Sequence, residues 1–173
     1  MGAQGLETAM GQIEVSTEAE TSASPGRVFA LLKDGSTWPQ WSMFESYGLE
    51  RPGQIDPLGI GSVRVFATRV SKTREEVIEL IPDRRLSYTL LSGLPFVGYR
   101  ADVDLQERPG GGTLIRWRSR FGVKRSGTGW FWSWFMKRTL RTVTAQLSDG
   151  AANPKIAPQA GLGLQTHIAR QVG

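Results

Sequence analysis

The chain of 173 residues contains no cysteine. That excludes a disulfide framework and thiolate metal sites, and it fits a reducing compartment. Histidine is nearly absent as well. The single one, His167, lies in a segment rich in Gly, Ala and Gln. A His-based triad, a His proton shuttle and a multi-His metal site are therefore disfavoured. No uncharged apolar run reaches the ~18 residues of a spanning helix. The N-terminus, MGAQGLETAMGQIE, has neither a basic start nor an apolar stretch, so it does not read as a secretory signal. Gly2 invites myristoylation, but Leu6 stands where Ser or Thr is needed. These features predict a soluble, cytoplasmic protein. Acid is also missing locally. From Gly112 to Ser148 the charged residues are Arg116, Arg118, Arg120, Lys124, Arg125, Lys137, Arg138 and Arg141, with no Asp or Glu among them. The net charge is +5. An uneven basic surface of this kind is either a solvated face or an attractor for an anionic partner.

What is present suits one domain. Hydrophobic residues make up 39% of the chain, enough for a sizeable core. Residues 1–12 and 151–173 read as tails around a domain at 13–150. Met10 is a plausible alternative start. Ile13–Ser22 reads as a first strand. Ser24 then caps a helix with Pro25 in its first turn, Gly35 ends it, and Pro39 opens a second short helix between Trp38 and Trp41. Six further strands are expected at about 43–50, 61–70, 73–81, 85–92, 97–107 and 112–121. RPGQIDPLGIG (51–61) is a Pro/Gly-rich loop, and IPDRR (81–85) and LPFVG (94–98) are turns.

The last hairpin can be read in register. RPGGG (108–112) is its loop. Faces match if Val103 lies opposite Trp117 and Leu105 opposite Ile115. The same register sets Asp104 against Arg116 and Asp102 against Arg118 on the outer face, an ion-pair pattern rather than a metal site. It also sets Arg100 against Arg120, which is unfavourable unless neutralised. PGGG is then a turn and not a phosphate loop, since no Lys-Ser/Thr and no helix follow it. In 73–91 neither face is cleanly apolar, and either Glu75 or Glu79 could point inward. GTGWFWSWFMKRTLR (127–141) opens a helix over Gly129–Ser148. At helical spacing Trp132, Met136, Thr139, Leu140, Val143 and Leu147 form one stripe, flanked by Phe131 and Phe135. Trp130, Trp134, Lys137 and Arg141 fall on the opposite face.

The order of strand, two short helices, six strands and long C-terminal helix resembles the helix-grip fold of the START-like, Bet v 1-like (SRPBCC) superfamily. ASPGRVFALLKDGSTWPQW looks like the helix pair after its first strand. REEVIELIPDRRLSYTLLSGLP and YRADVDLQERPGGGTLIRWRSRF resemble its bacterial polyketide cyclase/dehydrase and lipid-transport branch. The likeness covers about residues 13–148. It implies an α+β domain in which a curved antiparallel sheet of about seven strands wraps around the C-terminal helix, with an apolar cavity between them. Members bind lipids, sterols, polyketides or hormones, and some cyclise polyketides. The family has no single catalytic motif, so no catalytic residue is carried over. The tails fall outside the pattern, and the 51–61 loop would alter the cavity mouth.

On this reading the cavity wall comprises Val65, Ala67, Tyr88, Leu90, Tyr99, Ala101, Val103, Trp117 and Ser119 from the sheet, with Trp132, Phe135, Met136 and Leu140 from the helix. Small residues among large aromatics leave room on the concave side. Tyr88, Tyr99 and Ser119 are candidates for chemistry, since aldol cyclisation needs a polarised ketone and a mobile α-proton. No nucleophile–base pair is visible. The expected ligand is small and apolar or amphipathic, carried or sensed in the cavity, with cyclase/dehydratase chemistry as one alternative and a peripheral membrane or protein-interaction module without a ligand as the other. No cofactor or metal is expected. Trp130 and Trp134 beside Lys137 and Arg141 form an interfacial pattern suited to transient contact with an anionic membrane. A homodimer contact is the other use of such a face. Basic charge with aromatics could also suit single-stranded nucleic acid, but no recognised binding motif accompanies it.

Overall fold

A computed structural model describes residues 12–158. The expectations for Gly2, Met10 and His167 lie outside the described residues. Seven strands form one curved antiparallel sheet. They are β1 (Ile13–Thr21), β2 (Ser46–Arg51), β3 (Val63–Ala67), β4 (Lys72–Ile81), β5 (Arg85–Ser92), β6 (Phe96–Glu107) and β7 (Thr113–Val123), in the order β1-β7-β6-β5-β4-β3-β2. Between β1 and β2 run helix α1 (Pro25–Lys33), a single 3-10 turn and helix α2 (Trp38–Trp41). The chain ends the fold with α3 (Gly129–Ala152). Among the described residues no helix is long and apolar enough to cross a membrane.

Local chemistry sets the helix pair. The Ser24 hydroxyl accepts from the Arg27 amide, with Pro25 at the first position of α1. At the other end Asp34 accepts from the Ser36 amide at 3.0 Å and starts the next turn. The Thr37 hydroxyl donates to the Leu31 carbonyl at 3.0 Å and receives Trp41 Nε1 at 3.0 Å. These bonds turn Trp38 and Trp41 into the core. There the Trp38 ring meets Trp117 edge-on at 6.0 Å and Phe66 at 4.5 Å.

The β6–β7 register is the one expected, with Val103 opposite Trp117, Leu105 opposite Ile115 and Arg100 opposite Arg120. The outer ion pairs differ from the direct cross-strand ones. Asp104 meets Arg85 (2.6 Å) and Arg118 (3.6 Å), while Arg116 turns to Glu18 on β1 (2.6 Å). Long guanidinium side chains reach diagonal neighbours as easily as opposite ones. Asp102 sits between Arg100 (2.8 Å) and Arg120 (3.3 Å), and Glu79 adds a second carboxylate to Arg100. The like-charged pair is thereby neutralised. Gly110, Gly111 and Gly112 all have positive φ, the conformation a tight hairpin loop requires.

Helix α3 lies on β1 and β7 and touches α1 and α2. Its C-terminal half is tied down. Thr17 and Thr144 share a hydroxyl bond of 2.8 Å, and Thr21 donates to the Ser148 carbonyl at 2.9 Å. Arg27 donates to the carbonyls of Ala151 (2.5 Å), Asn153 (2.5 Å) and Ile156 (2.9 Å). The tail therefore does not begin at 151. Ala151 and Ile156 are buried in the core, because the arginine fork folds this segment back onto α1.

Candidate functional site

Because α3 rests on β1 and β7, the half of the sheet formed by β3, β4 and β5 stands off from it. A cavity of about 500 Å³ fills the gap. Its wall is mostly apolar, with Trp38, Phe44, Leu90, Leu94 and Trp117 on the sheet side. Phe135, Met136, Leu140 and Val143 face them from α3. Polar groups lie at two levels. Glu75, Tyr88 and Tyr99 face the interior, whereas Thr68, Ser71, Arg138 and Thr142 belong to the partly exposed β3–β4 turn and the outer side of α3.

The buried polar level begins with Arg64. This side chain is wholly buried and forms an ion pair with Glu75. A second donor, Nη1, reaches the Leu32 carbonyl at 2.8 Å. Its guanidinium carbon stands 5.3 Å from the Trp38 and Phe66 ring centroids and 5.9 Å from that of Tyr88. Aromatic faces partly replace the water such a cation loses. Burial pushes the Glu75 carboxyl above the ordinary glutamate value, against the pull of Arg64. Burial also pushes the Tyr88 phenol well up, with Tyr99 and Glu75 adding to the effect. Tyr99 is pushed up to about 12 by burial, opposed by its bond to Ser119. The Tyr99 and Ser119 hydroxyls lie 2.9 Å apart. Among the described residues, the buried side-chain atoms without a hydrogen-bond partner include Nε of Arg64, Nε1 of Trp117 and the Tyr47 hydroxyl. Buried polar hydrogens without partners are uncommon and costly.

Of the residues expected on the wall, Tyr88, Leu90, Tyr99, Trp117, Phe135, Met136 and Leu140 line the cavity. Ala101, Val103 and Ser119 are buried inner-face residues outside its lining. Val65 and Ala67 are misassigned. Arg64 and Phe66 occupy the inner face of β3, so alternation turns Val65 and Ala67 the other way. Trp132 is displaced too. It packs edge-on against Phe96 at 5.3 Å, outside the cavity lining. Trp134, expected to face away, instead contributes to the cavity wall while remaining 59% exposed. The 51–61 loop is likewise outside the lining and is held elsewhere by the ion pair of Lys33 with Asp56.

The glutamate ambiguity resolves through a bulge. Glu75 and Val77 precede a register shift in β4, and Glu79 follows it. One extra residue exchanges the two faces. Glu75 thus turns inward, while Glu79 turns outward to Arg100. Arg64 escaped the sequence reading, although a signal exists. A hairpin closed across Thr68–Ser71 sets Arg64 opposite Glu75, and an opposite-charge pair on one face outweighs the apolar look of Val65 and Ala67.

A curved antiparallel sheet and a C-terminal helix, with an apolar cavity between them, define the helix-grip fold. Residues 12–152 match the family described as polyketide cyclase / dehydrase and lipid transport, and the chain belongs to it. Among solved structures, a START superfamily protein from Mycobacterium smegmatis is similar with a TM-score of 0.68 at 16% identity, over 79% of this chain and 94% of that one. The protein XoxI from Bacillus cereus is similar with a TM-score of 0.64 at 19% identity, over 84% and 99% of the two chains. Ara h 8.0201 gives a TM-score of 0.64 at 16% identity, over 82% and 98%. At these identities the likeness is one of fold. No curated protein matches the sequence.

Proposed function

We propose that this protein binds a small amphipathic molecule, a lipid or polyketide, in the cavity beneath α3 and carries or senses it in the cytoplasm. The observation that carries this reading is the cavity of about 500 Å³, apolar along its length and polar at its buried end. That volume lies within the usual range of small-molecule sites, roughly 300–1,000 Å³. The unpartnered Trp117 Nε1–H belongs to a wall residue, and the unpartnered Arg64 Nε–H lies just behind Glu75. The first favours a ligand with an oxygen acceptor at its inner end. Native mass spectrometry of protein freshly purified from its host tests this. The expected result is a copurified mass carrying an acyl or polyketide chain and at least one oxygen. A protein that emerges free of ligand and also fails to bind anilinonaphthalene sulfonate would overturn the reading.

One observation favours a second reading, cyclisation or dehydration of a polyketide-like substrate. Glu75, Tyr88 and Tyr99 open onto the same cavity. A carboxyl whose pKa is raised by burial is a stronger base than an ordinary glutamate, and a phenol can donate to a developing enolate oxygen. Turnover of a β-polyketone thioester that disappears in Glu75→Gln would support it. An unchanged rate in that variant would reject it.

A further inference from the structure

We infer that the first half of α3, together with the cavity rim, is a docking face for the surface of an anionic lipid bilayer. The inference rests on the ligand-binding reading for its purpose, but not for its geometry. Three aromatic rings are left in solvent here: Trp130 is 77% exposed, Trp134 59% and Phe131 40%. They form one contiguous group, with Phe131 lying 6.1 Å from Trp130 and 6.3 Å from Trp134. Exposed aromatic clusters of this size mark interaction surfaces rather than folding needs. Four-residue steps along the helix place Trp134 above Trp130 and Arg138 above Trp134, and Lys137 and Arg141 continue the same side. All three cations are exposed, and among the described residues none has an acidic partner. From Gly129 to Ser148 the helix carries no acid.

Rings with one polar edge beside unpaired cations match the chemistry of a headgroup layer. The indoles enter at carbonyl depth and the cations meet phosphate. A protein partner would have to supply both an apolar socket and a matching acidic rim. A bilayer supplies the two together. Position adds a second argument. Trp134 and Arg138 belong at once to this face and to the cavity wall. Across the opening, the β3–β4 turn carries Val70, 94% exposed, between the cation Arg69 and the wall residue Ser71. Met43, also on the wall, is 43% exposed. Docking by this face turns the cavity mouth toward the lipid, so that an amphipathic molecule can pass between bilayer and cavity with little exposure of its apolar part to water.

The test uses the full chain with vesicles of phosphatidylglycerol and phosphatidylcholine, against phosphatidylcholine alone, at low ionic strength. Variants avoid the cavity wall: Trp130→Ala, and the double Lys137→Gln/Arg141→Gln. Cosedimentation is expected only with the anionic vesicles. Each lost cation should weaken it about fivefold, so about 25-fold for the double variant. Trp130→Ala should weaken it roughly tenfold, and salt should reverse it. Binding of anilinonaphthalene sulfonate in solution should stay as in the parent for both variants. Absence of cosedimentation, or cosedimentation indifferent to both variants, would overturn the inference. So would a dimer in sedimentation equilibrium that Trp130→Ala dissociates, because the occupant of the face would then be a second copy. Vesicle binding by a protein that takes up no anilinonaphthalene sulfonate would instead defeat the cavity reading and leave the docking face standing.

Discussion

Replacing Arg64 with Met tests the polar end of the cavity most sharply. Methionine is long and apolar, so it fills most of the space without the charge. Its neighbours lose two things. The Leu32 carbonyl loses a donor at 2.8 Å, worth about 1 kcal/mol. Glu75 loses its cation in a site where it is 4% exposed. If the carboxyl stays ionised, an orphaned buried charge costs about 3–5 kcal/mol. If it takes a proton instead, drawing one at about pH 7 for an acid of ordinary pKa ~4.3 costs roughly 4 kcal/mol. The two routes agree at about 4 kcal/mol, and with the lost Leu32 bond the expected loss at neutral pH is about 5 kcal/mol. The protonation route is the one that varies with pH. Burial already raises the folded pKa of Glu75, and losing Arg64 raises it further. A raised folded pKa means stability is present below the unfolded pKa and lost as pH rises through the folded one. The destabilisation should therefore shrink to about 2 kcal/mol near pH 5. Urea unfolding of both proteins at the two pH values, followed by tryptophan fluorescence, measures the difference. A neutral-pH loss below about 1 kcal/mol, or a loss equal at both pH values, would refute the account of this pair. Arg64→Met combined with Glu75→Leu should recover most of the loss, since a buried ion pair is often replaceable by packed apolar groups.

Four further outcomes follow from individual contacts. Gly150→Ala should destabilise despite a helix-propensity gain of about 1 kcal/mol, because the new Cβ would lie 2.5 Å from Trp41 Cβ; a raised Tm in a thermal melt would contradict this. Trp132→Ala should cost about 3 kcal/mol and Trp130→Ala under about 0.5 kcal/mol in the same melts, since only the first ring packs on the core. Tyr99→Phe should cost about 1 kcal/mol by chemical denaturation through loss of the Ser119 bond, and a larger loss would mean the hydroxyl chain supports more than itself. Burial pulls the Asp102 carboxyl up, but the Ser87 hydroxyl, Arg100 and Arg120 outweigh it and hold the pKa down. Its contribution is therefore present above the unfolded value and lost in acid as pH falls through the folded one. The stability gap between the parent and Asp102→Asn, followed by urea titration, should close below about pH 4.

Much of the architecture was legible because local and cross-strand patterns agreed. The β6–β7 register followed from Val103, Leu105, Ile115 and Trp117, and the arginine row outside it found carboxylates as charge balance requires. The failures have physical causes. In VRVFA the alternation of Val65 and Ala67 looked like an inner face, yet Arg64 lies inside because Glu75 does too. A buried ion pair inverts the apolar pattern at both of its strands. In β4 the bulge exchanges faces partway along, so no single parity describes the strand. In α3 the stripe was right from Met136 onward, where the helix meets β1 and β7. Before that point the helix meets the sheet only near strand ends, at Ile13 and Phe96, and Trp132 and Trp134 take positions that periodicity alone cannot assign.

The uneven fastening of α3 has a mechanical meaning. Every buried residue of the helix lies between Met136 and Ala151, and the Arg27 fork clamps the far end. The roof of the cavity is thus clamped most firmly at its C-terminal end, while its first two turns are held by fewer contacts, chiefly Trp132 on Phe96 and Gly129 beside Ile13. Thermal bending should displace this more lightly held end most, which is where the wall residues Trp134 and Phe135 sit. Amide exchange should record it as a gradient, fast near Phe131 and slow near Leu147, along a single unbroken helix.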